Sequence, residues 1–120
     1  MNIPFQCKLW QKEPLTSEDL ILKENFDQLK TYSEENHDWR YLLKCKECGQ
    51  LYLYEFHEEV DWADSEDSIY CTFVPVETAE ESDKIAQLNY MDLGQKIPQL
   101  HNDKTKDHGN RIYWIRKLES

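Results

Sequence analysis

The sequence predicts an α+β fold: an antiparallel sheet of three to five strands with one or two helices packed on one face. A run at strand spacing, Trp39 to Cys45, and a second strand-like run rich in Tyr and Leu, Leu51 to Phe56, are joined by a short turn containing Gly49. A capped, helix-like stretch precedes the pair, and a second amphipathic stretch follows it between Glu80 and Leu93. At 120 residues the chain suits a single domain, residues 1–120, able to bury roughly 65% of its unfolded surface.

Taken in order, Thr16-x-x-Asp19 approximates a capping box, with Leu22, Phe26 and Leu29 on one helical face behind it. Ser33 to Asp38 is polar and is expected to be a loop. Trp39, Tyr41, Leu43 and Cys45 then alternate with Arg40, Leu42, Lys44 and Lys46, which is strand spacing. Gly49 supplies the positive φ that a tight connection to the second strand needs. Glu58 to Asp67 is expected to form an acidic loop, and Ile69 to Val74 a third strand, with Pro75 marking its end or an edge. Ile85, Leu88 and Met91 line the second helix, which Gly94 and Pro98 close. His101 to Asn110 has linker composition, and Ile112 to Ile115 makes a last aromatic strand.

Four Trp, seven Tyr and four Phe supply large core pieces despite a hydrophobic fraction of 39%. The longest aliphatic run is Leu20-Ile21-Leu22, and Met1 to Pro14 has no apolar stretch of signal-peptide length, so neither a membrane span nor export is expected. The expected location is cytoplasmic, where Cys7, Cys45, Cys48 and Cys71 are thiols or metal ligands.

Cys45-x-x-Cys48-Gly49-Gln50 resembles the knuckle of a zinc ribbon, whose turn aims two thiolates at one ion. A full ribbon carries a second such knuckle, which this sequence lacks. Cys7, Cys71, His37 and His57 are the candidates for completing four zinc ligands, though none has a diagnostic spacing. The alternative is a hairpin turn whose cysteines are small buried thiols, and both readings stay open at this point.

Enzymatic readings fare less well. The sequence after the cysteine pair, Gly49 to Tyr54, has strand character, whereas a redox-active pair needs a helix N-terminus to lower its thiol pKa. The three glycines are isolated, so there is no phosphate loop. His101, Asp103, Asp107 and His108 lie in the linker-like stretch and are expected to be surface residues. Glu58, Glu59, Asp61 and Asp64 lack the spacing of a calcium loop. The expected protein is a binder and not an enzyme.

The charge distribution says what it binds. Of a net charge of −10, the whole excess sits between Glu55 and Asp83, which hold eleven acids and no Lys or Arg. Acids at a helix start account for Glu77 to Asp83. Seven more remain at Glu55, Glu58, Glu59, Asp61, Asp64, Glu66 and Asp67, surrounding Trp62. An aromatic anchor ringed by like charge suits a steered docking surface for a basic protein. Direct nucleic-acid binding comes third, since it needs a concentrated basic face and only the C-terminal strand region offers a mild excess of bases.

This small, acidic, aromatic α+β chain, above all Trp39 to Val76, resembles the immunity proteins that bacteria use against polymorphic and contact-dependent growth-inhibition toxins. The resemblance implies a non-catalytic inhibitor whose acidic surface occupies the cleft of a basic, nuclease-like toxin. The alternative is a zinc-ribbon-like regulatory or scaffolding module that contacts another protein.

Overall fold

A computed structural model describes residues 4–59, 68–105 and 109–116. Its centre is one antiparallel sheet of six strands in the simple order β1 to β6. The strands are β1 (Phe26–Glu34), β2 (Asp38–Cys45), β3 (Leu51–Glu59), β4 (Ser68–Val76), β5 (Gln99–Thr105) and β6 (Gly109–Ile115). The helices are short: α1 (Lys8–Gln11), α2 (Leu22–Asn25), α3 (Ala79–Ile85) and α4 (Tyr90–Leu93), with a 3-10 turn at Ser17–Leu20.

The hairpin β2–β3 forms where the alternation predicts it, with Tyr41 opposite Tyr54 and Leu43 opposite Tyr52. Alternation puts these aromatic residues on one face, where they meet Phe26, Phe73 and Leu100. Leu9 and Leu20 of the N-terminal segment cover that face, and Trp114 Nε1 donates a hydrogen bond to the Leu9 carbonyl at 2.7 Å. The opposite face carries Leu42, Leu53, Val74 and Val76, which pack under Ile85 of α3 and Leu93 from α4. Helical elements therefore cover both faces, and not one face as expected from the sequence.

Six strands replace the expected three to five because two segments are strands where helix and linker were expected. The capping carboxylate works as anticipated, with Asp19 Oδ2 accepting from the Thr16 N–H at 2.8 Å. The turn nevertheless ends early. Asn25 Nδ2 donates to the carbonyls of Glu18 and Ile21, and from Phe26 onward the backbone pairs with β2. Phe26 and Leu29 thus belong to a strand: an aromatic β2 offering an open hydrogen-bonding edge outweighs a weak helical stripe. The expected loop shrinks accordingly, since Ser33 and Glu34 end β1 and Asp38 begins β2.

The polar stretch from His101 contains β5 and the start of β6. Leu100 is buried in the aromatic core, while Gln99, His101 and Asp103 alternate to the other face. Pro75 sits inside β4, but the ladder with β5 stops at Phe73, so the missing N–H costs no pairing on that side. The second helix is split into α3 and α4. No described helix is long and apolar enough to cross a membrane.

Candidate metal centre and acidic sheet end

Cys45 is the last residue of β2, and the turn after it is tightly held. The Gly49 N–H donates to the Cys45 carbonyl at 2.8 Å, and the Cys45 N–H donates to the Gln50 carbonyl at 2.8 Å. Gly49 takes φ +82°, the left-handed conformation expected of it. The N-terminal segment brings a third thiol to the knuckle. Cys7, immediately before α1, is buried there, and the three Sγ atoms of Cys7, Cys45 and Cys48 lie within 4.8 Å of one another.

The three cysteines can hold a metal ion. Cys7 and Cys45 are buried and Cys48 is exposed, so the cluster is enclosed on one side and open on the other. The buried Tyr52 hydroxyl donates to Cys7 Sγ at 3.0 Å and orients it. Burial pushes the Cys7 thiol up to about 12, because a lone thiolate in an apolar wall is poorly compensated. A divalent cation supplies that missing charge, and a soft sulfur donor set suits zinc. The other candidate ligands are elsewhere. Cys71 Sγ accepts from the Tyr54 hydroxyl at 3.3 Å, and His37 and His57 are at the opposite end of β2 and β3.

That opposite end is acidic. Glu34 closes β1, Asp38 opens β2, and Glu58 and Glu59 close β3, with Glu35 in the connecting turn. His37 Nδ1 lies 2.9 Å from Glu58 Oε1, and His57 Nδ1 contacts Asp38 Oδ1. Glu59 is exposed and pairs in register with Ser68, so both flanks of the connection 60–67 leave the sheet at this end. Asp61, Trp62, Asp64, Glu66 and Asp67 lie outside the described residues. Two of the acids after Val76, Glu81 and Asp83, take part in bonds of the fold. Thr78 caps α3 by accepting from the Glu81 N–H, and Asp83 accepts from Tyr32 and Lys30 of β1, which hold its carboxyl below the usual range.

Glu55 corrects the reading of the acidic run, because it is 5% exposed and does not belong to an exposed acidic surface. Its Oε2 accepts from Arg40 Nε at 2.6 Å, while Arg40 Nη1 bonds the carbonyls of Ala86 and Leu88 after α3. Burial still raises the Glu55 carboxyl above its ordinary range, outweighing the guanidinium beside it. Arg40, Glu55, Thr72, His101 and Tyr113 form one cross-strand row on this face. Asp103, expected at the surface, is buried and accepts from the Tyr113 hydroxyl at 2.8 Å. The signal for this row was the parity of Gln99, His101 and Asp103 around the apolar Leu100.

Comparison with protein-family models, with curated proteins and with solved structures finds no match to this chain.

Proposed function

We propose that this chain is a non-catalytic binding protein whose acidic sheet end docks a basic protein, in the manner of immunity proteins that block nuclease-like toxins. The observation that carries the reading is the gathering of Glu34, Glu35, Asp38, Glu58 and Glu59 at one end of the sheet. The acidic connection 60–67 is anchored at the same end. Like charges so placed raise the local concentration of a cationic partner and steer it onto the surface. In this reading Cys7, Cys45 and Cys48 hold a zinc ion that staples the N-terminal segment to the sheet, a structural role and not a reactive one.

The thiol cluster also favours a second reading, a zinc-ribbon-like scaffolding module that contacts its partner through the knuckle. One experiment separates the two. Tagged wild-type protein, a Glu58→Lys/Glu59→Lys variant and a Cys48→Ser variant are used to recover partners from the native host, and each recovered protein is tested for toxicity alone and with this chain. The inhibitor reading expects a basic toxin held by wild type, lost with the double reversal, and neutralised on co-expression. A partner indifferent to the reversal but lost with Cys48→Ser supports the scaffold, and a partner of acidic character contradicts the docking surface altogether.

A further inference from the structure

A cavity of about 310 Å³ opens between α4 with its following turn and the floor made by β3, β4 and β5. Its polar groups are unusual in kind. His101 and Gln99 line it, but their donors are already used. Gln99 Nε2 donates its two hydrogens among the surrounding carbonyls of Lys96, Gly94 and Leu93, which fixes the amide so that Oε1 faces His101 and accepts from its Nε2–H. Arg40 is likewise spent on Glu55 Oε2 and two carbonyls.

Two oxygens are left over. Glu55 Oε1 has no hydrogen-bond partner among the described residues, and neither has Thr72 Oγ1. Both residues line the cavity and both are more than nine-tenths buried, at 5% and 6% exposed. Neither oxygen is sealed from solvent, unlike the enclosed Asp103 Oδ1. A buried carboxylate oxygen without a donor is costly unless something supplies one. The lining also has an apolar part, the buried Leu93, the half-buried Ile115 and the exposed Met91.

We infer that this cavity binds a protonated alkyl amine, its ammonium donating to Glu55 Oε1 and Thr72 Oγ1 and its aliphatic stem lying against Met91, Leu93 and Ile115. An anion is disfavoured because the buried Glu55 carboxylate would repel it and the donors of Gln99 and His101 are committed. A neutral alcohol would meet the same walls without the charge that Glu55 calls for. The same chemistry is offered by a free alkylamine and by a lysine side chain on a protein surface. The inference holds whether or not the acidic sheet end docks a basic partner.

The test is an amide-resolved NMR titration at fixed pH and ionic strength with n-butylammonium, Nα-acetyl-lysine N-methylamide and n-butanol. The expected result is saturable movement of the Thr72, His101 and Ile115 signals with butylammonium, at least about tenfold tighter than with butanol. An equal response to the lysine amide identifies a peptide side chain as an acceptable occupant, and a response to butylammonium alone restricts the site to free amines. Glu55→Gln should abolish the response and Thr72→Val should weaken it several-fold. The inference is overturned if butanol and butylammonium behave alike, if nothing saturates, or if Glu55→Gln binds as wild type. Should Glu55→Gln lose its dispersed spectrum, Thr72→Val and the butanol comparison decide.

Discussion

Replacing Cys7 by serine separates a metal staple from a merely buried thiol. Serine is nearly isosteric and keeps an acceptor for the Tyr52 hydroxyl, which now bonds Cys7 Sγ at 3.0 Å. Without metal, then, wild type and Cys7→Ser should differ in stability by only about 1 kcal/mol. With zinc the two should part. An ion bridging Cys7 to Cys45 and Cys48 closes a loop of about 38 residues, and chain entropy assigns such a closure about 4 kcal/mol. For a domain of this size that is a rise in Tm of roughly 10–20 °C. The assay is thermal unfolding by circular dichroism, with one equivalent of zinc and with a chelator, on wild type, Cys7→Ser and Cys48→Ser. Cys71→Ser serves as the control because Cys71 lies outside the cluster. Wild type and the control should gain stability with zinc, and the other two should lose most of that gain. If wild type melts alike with zinc and with chelator, or Cys7→Ser keeps the full increment, the staple does not exist.

Arg40→Ala strands the buried Glu55 carboxylate and two carbonyls, so urea unfolding should show a loss of about 3–5 kcal/mol; a loss below about 1 kcal/mol would mean that water replaces the guanidinium. Glu55 itself sets a pH dependence. Its folded pKa is raised, so the stability that it contributes in the protonated form is lost as pH rises through that raised value. Wild type should therefore lose more stability over that interval than Glu55→Gln, and parallel curves would contradict the raised pKa. Gly49→Ala should cost about 1–2 kcal/mol. An added Cβ would meet only Lys44 Cε at 3.7 Å, so the cost is conformational, and an unchanged urea midpoint would refute it.

The central hairpin was legible because large residues recur at strand spacing in Trp39, Tyr41, Leu43 and Cys45 and the second strand is rich in Tyr and Leu; burial of the opposite face by Leu42 and Leu53 was not written in that alternation. Its register was not read from the sequence. It places Arg40 opposite Glu55, a buried pair that the list of acids alone concealed. β1 was not legible because Leu22, Phe26 and Leu29 have helical spacing, and only the edge of β2 decides otherwise. β5 was hidden by polar residues that partner one another within a covered face. Cys7 gave no spacing signal toward Cys45 and Cys48, since a metal ligand far away in sequence is recruited by the packing of Leu9 and Leu20 onto the aromatic face. What sequence could mark was the Cys-x-x-Cys knuckle and the acidic excess.

The most direct measurement of the central claim is the association rate between this chain and the partner it captures, followed across a salt series. Electrostatic steering by the acidic sheet end requires that the rate fall steeply between about 0.01 M and 0.1 M salt, as the screening length contracts from roughly 30 Å to 10 Å. The Glu58→Lys/Glu59→Lys variant should start slower and show a flatter dependence. An association rate indifferent to salt, and equal for wild type and the reversal, would contradict the claim that this end of the sheet is the docking surface.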